Sequence, residues 1–342
     1  MSETTVIEHN VTGQDFSQRD HLVYAGPPMI DIHSHVTITK EGDQASGPAG
    51  GAGAAGSSDQ AALMLDIAQD FGIGLTVSMC PVQDIAPLRE RLGNRIAFNA
   101  MIFKKPEEED EVAYRQLDAF LEAGIDILKL WSAPRGRDRG LLLDLPWRVE
   151  TIRRARAAGV RTVMVHVGDP DRWFQTVYTD SAKYGTKLDQ YIPLRRLMDE
   201  FNDMIWIGAH LGGDPEHPDH LEALIEAYPQ IHFDTSATKW QVREVSQQRD
   251  ALRSLIQRHP DRFLFGSDLV TRHALTAEHY MSRYWCQRTL WESDWVGRSP
   301  IQDPDHVVEP EGGTTPMLRG LALPAAVLQQ VYCDNAKRIL QR

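Results

Sequence analysis

The chain has 342 residues, 42% of them apolar, and a formal charge of -12 from 48 acidic and 36 basic side chains. That length and composition suit a globular protein of one large domain or two ordinary ones, and the charge argues against nucleic acid or an anionic membrane as the main partner. Its three cysteines, Cys80, Cys286 and Cys333, include no CxxC pair, which speaks against a disulfide framework or a thiolate zinc site and for a reducing compartment.

The start, "MSETTVIEHN", has neither a basic beginning nor an apolar core like that of a secretory leader, and no later run approaches a membrane span. A cytoplasmic protein is expected. After an N-terminal extension over 1–28, short apolar runs alternate with longer amphipathic ones through 29–342, the pattern of βα units around a parallel sheet. The runs are "MIDIHSH" (29–35), "LTVSM" (75–79), "IAFNAMI" (96–102), "ILKLW" (127–131), "TVMVH" (162–166), "MIWIGAH" (204–210), "IHFDT" (231–235) and "FLFGSD" (263–268). Between them lie helical patterns such as "EVAYRQLDAFLEAG", in which Ala113, Leu117, Phe120 and Leu121 share a face and Gly124 supplies a stop. Others run near 60–71, 85–92, 147–158, 190–202, 219–228 and 240–258, and "AAVLQQVYCDNAKRIL" closes the chain. Eight strands, each with a helix, predict an α/β fold of the (β/α)8 TIM-barrel type in one domain, with its site at the carboxyl ends of the strands. A doubly wound open sheet is the competitor, but no glycine-rich phosphate loop follows any strand.

Two segments stand outside the repeat. "ASGPAGGAGAAGSS" (45–58) is too rich in Gly, Ala and Ser to pack, and reads as a loop at the rim of the site or as a passive linker. The long insertion 269–317 after strand eight holds a helix around "AEHYMSRYWCQRTLWE". It is expected to form a lid or a subunit contact, the motive for a homodimer, unless Tyr280, Tyr284, Trp285 and Trp291 form local core.

The strand ends carry the chemistry. In "MIDIHSH" the twofold alternation of a strand puts Asp31, His33 and His35 on one side. Strand five ends in His166, strand six in His210 and strand eight in Asp268. In a barrel these termini surround one axis, and together they form a nitrogen and oxygen donor set suited to Zn2+ or a similar divalent ion. His217 and His220 lie past strand six as a solvated helix start, and His273 follows strand eight closely enough to reach a substrate.

"DIHSH", "VHVGDP", "AHLGG", "FDTSA", "FGSD" and "DNAKRIL" resemble, in that order, the blocks of the amidohydrolase superfamily, in particular its amidohydrolase-related branch of metal-dependent hydrolases and aminocarboxymuconate semialdehyde decarboxylase-like enzymes. The resemblance covers residues 29–340. It implies that His33, His35, His166 and Asp268 ligate the metal, and that His210 is a catalytic base or orients water or substrate. Lys129 in "ILKLW" stands where binuclear members carry a carboxylated, metal-bridging lysine; elsewhere in the superfamily a lysine nearby is structural or binds substrate. A lysine must be neutral to accept CO2, so carboxylation requires a lowered pKa.

The chemistry that follows is hydrolysis of an amide, ester or lactone of a small molecule, in which Asp268 shuttles the proton and His210 stabilises developing negative charge. The alternatives are non-oxidative decarboxylation of a small aromatic or dienoic acid by the same residues, and a metal-binding scaffold without catalysis. Many decarboxylating relatives replace the first histidine of the H-x-H by glutamate, whereas this chain keeps His33; the aminocarboxymuconate enzymes keep both. Candidate substrate contacts are Trp131 after strand four, Asp169, Trp173 and Tyr178 after strand five, and Arg272 after strand eight, whose guanidinium suits a carboxylate or a surface ion pair.

Overall fold

The computed structural model describes residues 9–38, 56–272, 275–306 and 315–341. Most of the Gly-rich stretch 45–58, His273 and residues 307–314 of the insertion lie outside them.

Strands β1 (Met29–His35), β2 (Ile73–Met79), β3 (Ile96–Met101), β4 (Ile127–Trp131), β5 (Thr162–His166), β6 (Ile205–Gly208), β7 (Ile231–Asp234), β8 (Phe263–Leu264) and β9 (Leu269–Val270) form one parallel sheet in the order β8-β7-β6-β5-β4-β3-β2-β1-β9. The predicted eighth strand, 263–268, is regular only in β8, which pairs with β7; the pairing with β1 is made by β9, just past its predicted end. In the gap between them the Ile32 N–H donates to Phe265 O and the Asp268 N–H to His33 O. One broken strand therefore closes the sheet on itself, and the fold is the expected α/β barrel. The helices around it include α1 (Ser58–Asp70), α2 (Val82–Leu92), α3 (Glu111–Ala123), α4 (Pro146–Ala157), α5 (Asp171–Thr176), α6 (Ser181–Tyr184), α7 (Tyr191–Glu200), α8 (Pro218–Ala227), α9 (Trp240–Gln247) and α10 (Arg249–Arg258).

The strands read as nearly continuous apolar runs because both of their faces are covered. Leu128, Leu130, Val163, Val165 and Trp206 belong to the outer layer against the helices, whereas Ile127, Met164 and Ile207 fill the barrel interior. Lys129 shares the parity of Ile127 on β4, so its side chain points inward. The same count places Asp234 inward at the end of β7, beyond the outward Ile231 and Phe233.

β1 departs from simple alternation. Ile30 and Ile32 are interior residues, and a register shift against β2 falls between Asp31 and Ser34. A bulge adds one residue and reverses parity, so His33 and His35 turn inward after it. Asp31 does not share their side: its carboxylate accepts from the Ser267 N–H at 2.9 Å and the Ser267 hydroxyl at 2.5 Å.

The insertion supplies α11 (Ala277–Glu292) and a hairpin of β10 (Val296–Arg298) with β11 (Met317–Arg319). Tyr280, Tyr284, Trp285 and Trp291 are all buried within this one chain. The aromatics are thus local core, sealed by the N-terminal extension, where His21 meets Thr289 at 2.8 Å and the Tyr24 N–H donates to Glu292 at 3.0 Å. At the opposite end of the barrel, beyond α12 (Ala325–Gln329), Ala336, Ile339 and Leu340 of α13 (Asn335–Leu340) join the interior cluster as a plug.

Because Ile207 is fully buried in that interior, Ile207→Ala is expected to cost about 2–5 kcal/mol of stability from lost burial and the cavity left behind, read from the denaturant midpoint at unchanged slope.

Candidate metal centre

A cavity of about 170 Å³ opens at the carboxyl end of the strands, lined in part by His33, His35, Lys129, His166, His210 and Asp268. The barrel therefore brings together all six residues singled out as ligands, base or bridging lysine. Asp268 Oδ1 lies 3.5 Å from His33 Nε2 and 3.3 Å from His35 Nε2, and these three residues offer donor atoms within 4.8 Å of one another. His166 stands beside this trio: its ring centroid is 4.7 Å from that of His210, and its Nε2 faces Asp169 Oδ1 at 2.9 Å.

Beneath the cavity lies a carboxylate that the sequence reading quoted within "FDTSA" without giving it a role. Asp234 Oδ2 is 2.8 Å from His33 Nδ1. Its Oδ1 accepts from the His210 N–H at 2.9 Å, the Ser236 N–H at 3.0 Å and the Ser236 hydroxyl. Ser236 Oγ in turn lies 2.8 Å from His210 Nδ1. An ionised carboxylate only accepts, so His33 carries its proton on Nδ1. The Ser236 hydroxyl spends its proton on Asp234, so it accepts from His210 Nδ1. Both Nε2 lone pairs are thereby left for the cavity, as a ligating histidine requires.

Electrostatics agree with this assignment. Burial works against the charge of Asp234, but the His33 contact first, and then His210 and Lys129, hold its carboxyl well below the usual range. Burial and the nearby Lys129 lower His33, and burial pushes His210 down to about 3. Burial opposes the charge of Asp268 too, yet the His35 contact and the neighbouring His210 and His33 keep it strongly acidic. His210 therefore presents an unprotonated Nε2 that can accept a hydrogen bond in the cavity.

The backbone is bent to make these contacts. His210 and Asp268 both have positive φ, 58° and 57°, a conformation that non-glycine residues adopt at modest cost where surrounding contacts enforce it. Gly266 has a simpler reason: a Cβ there would lie 3.1 Å from the Cβ atoms of both His33 and Ser236. From outside, the Gln287 amide on α11 donates to Thr235 O at 3.2 Å and Ala237 O at 2.6 Å, bracing the loop that carries Ser236.

Lys129 is 2% exposed, and its ammonium has no hydrogen-bond partner among the described residues. Burial lowers it to about 8, against the attraction of Asp234 and Asp268. Trp131, Asp169 and Trp173 line the cavity as expected. Tyr178 acts one step back, its hydroxyl donating to Asp169 Oδ2 at 2.7 Å. Trp173 is tied to the insertion through its Nε1–H, which donates to Asp305 at 2.9 Å. Arg272 is not among the lining residues, whereas Arg135, Met101 and Trp240, unremarked in the sequence, are. A second cluster, Asp171, Asp214 and His217, already holds a cation: Lys187 Nζ lies 2.8 Å from Asp171 and 2.7 Å from Asp214.

With that geometry in hand, a family model described as "Amidohydrolase" matches residues 30–342, and the chain belongs to the amidohydrolase family. The fold is similar to those of several solved structures: 2,6-dihydroxybenzoate decarboxylase from Rhizobium (14% identity, TM-score 0.55, 92% of this chain and 99% of that one); dihydroxybenzoic acid decarboxylase from Polaromonas with bound manganese and 2-nitroresorcinol (12%, 0.55, 92% and 97%); and Metarhizium anisopliae IDCase (15%, 0.51, 92% and 97%). At such identity the likeness concerns the fold. A comparison with curated protein sequences finds no match. Among the described residues, no helix is long and apolar enough to cross a membrane.

Asp234→Asn removes the charged acceptor that orients His33, and is expected to weaken divalent-metal affinity by about 10–100-fold. Titration of metal-stripped protein with Zn2+ checks it.

Proposed function

We propose that this protein is a metal-dependent hydrolase that cleaves an amide, ester or lactone bond of a small molecule. His33, His35 and Asp268 would hold the ion, with His166 as fourth ligand in place of its present contact with Asp169. Zn2+ suits such nitrogen and oxygen donors. The observation that supports this reading is the orientation enforced by Asp234 and Ser236: His33 and His210 turn lone pairs, not N–H groups, into a cavity that also holds the ionised Asp268. A buried set of acceptors is costly unless a cation satisfies it, so the residues present fit the ion.

When bound, a divalent ion there polarises a carbonyl and lowers the pKa of water to about 7. The chain's own residues then handle protons. Asp268 accepts one from the attacking water and returns it to the leaving group, and His210 Nε2 accepts a hydrogen bond that orients the water. Lys129 is kept as an ammonium on the cavity wall rather than as a carboxylated bridge between two ions.

Decarboxylation is the second reading. Two observations favour it: Lys129 faces the cavity without a partner, which suits a substrate carboxylate, and decarboxylases share the fold. It would require Asp268 or His210 to deliver a proton to carbon.

Plasma mass spectrometry is expected to find about one divalent ion per chain, lost in His33→Ala. His210→Ala should keep the ion and lose about 10²–10⁴-fold in kcat. On a panel of lactones, esters and amides, acid release without CO2 is the expected result. CO2 release from aromatic acids, with no hydrolysis, would establish the second reading instead.

A further inference from the structure

Of the three indoles that line the cavity, Trp131 is buried, whereas Trp173 on α5 and Trp240 at the start of α9 are half-buried and stand at its rim. Trp240 lies over His210, with ring centroids 6.0 Å apart. Trp173 is tied to the insertion: its Nε1–H donates to Asp305 Oδ2 at 2.9 Å, and Asp305 is half-buried as well. The Asp305 N–H donates to Asp303 Oδ1 at 3.0 Å, and Asp303, 2% exposed, pairs with Arg243 of α9. These contacts form one span from α9, after β7, to α5, after β5, past the end of β6 that leads into His210.

The ends of the span are held more firmly than its middle. At one end the Asp303–Arg243 ion pair is buried. At the other, the base of α5 is anchored where the Asp171 N–H donates to Glu216 at 2.8 Å and Lys187 Nζ lies 2.8 Å from Asp171. Between them the contact of Trp173 with Asp305 rests on one hydrogen bond between half-buried side chains, which contributes little enough to open and close readily. Opening matters because of size. A cavity of about 170 Å³ holds roughly one ring, so a broader molecule needs the space that the Trp173 indole occupies.

We propose that Trp173 and Asp305 form a clasp that sets the size of molecule admitted to the candidate metal centre: closed, it admits about one ring, and anything broader enters only when Trp173 leaves Asp305. The proposal rests on the reading of this cavity as a metal-dependent active site and adds a size filter to it. Trp173 and Asp305 are then specificity-determining residues that handle neither the ion nor a proton. The insertion after strand eight takes part in choosing the substrate, a role that loops at the mouth of a barrel commonly have.

The test titrates Co2+-loaded protein with acetohydroxamate and 2-naphthohydroxamate, which share a metal-binding group and differ in breadth, and follows the visible absorption of the ion. Asp305→Ala removes the acceptor and leaves the cavity wall intact. It is expected to tighten binding of the naphthyl compound about tenfold while acetohydroxamate and Co2+ affinity stay within about twofold. Trp173→Phe should favour the broader ligand in the same way, and Asp305→Asn, whose Oδ1 still accepts, should resemble the unaltered protein. A naphthyl affinity unchanged in Asp305→Ala, equal shifts for both ligands, or Asp305→Asn behaving as Asp305→Ala would overturn the clasp. If the protein takes up no Co2+, the metal-dependent reading fails by itself, and hydrogen exchange decides the clasp on the same metal-free protein: faster exchange over 171–178 in Asp305→Ala supports it, and unchanged exchange there overturns it.

Discussion

The site depends on one buried carboxylate. Asp234 is fully removed from solvent, which is tolerable only if its oxygens are saturated with donors. The donors come from three places far apart in the chain: the His33 ring from β1, the His210 amide after β6, and the amide and hydroxyl of Ser236 two residues beyond Asp234 itself. Satisfying that charge fixes the register of strand ends around the barrel, and it dictates which nitrogen of each histidine is free. The positive φ of His210 and the need for glycine at 266 belong to the same constraint, since both let backbone approach this one group.

Above Asp234 the cavity gathers the electron pairs of His33, His35, His210 and Asp268 together with the Lys129 ammonium, which has no hydrogen-bond partner among the described residues. A low-dielectric pocket keeps such groups in place only when the fold around it is rigid. Rigidity is supplied from outside the barrel: Gln287 on α11 grips the loop of Ser236, and Asp305 holds Trp173. The insertion after the eighth strand is thus a brace for the site as well as a packed subdomain of aromatic side chains.

Membership of the amidohydrolase family and likeness to decarboxylases at 12–15% identity describe the same scaffold from two sides. Barrels of this kind carry many reactions on one framework because the framework and the chemistry reside in different residues. The interior apolar layer and the plug from α13 make the barrel. Which bond is broken depends on a few side chains at its mouth, and there the lone pairs that Asp234 and Ser236 turn into the cavity are the feature on which the hydrolytic reading rests.

Much of this was legible in the sequence. Apolar runs of strand length at regular spacing announced the barrel, and "ILKLW" and "TVMVH" coincide with β4 and β5 to the residue. Histidines and an aspartate at strand ends pointed to the candidate metal centre, because local alternation and a closed ring of strands suffice to make such residues converge. What alternation could not supply was the bulge in β1, which depends on how the broken eighth strand hydrogen-bonds to it and which moves His33 away from the side of Asp31. Asp234 was detectable in principle, being an inward, strand-terminal acid, but its two histidine partners are 24 and 201 residues distant. Arg135 carried no signal at all: an arginine in a turn is ordinarily solvated, and only tertiary packing brings it to the wall of the cavity with its Nε buried. Sequence determines periodicity and the identity of the donors; the closure of the barrel alone decides which charges are satisfied and which are left for a ligand.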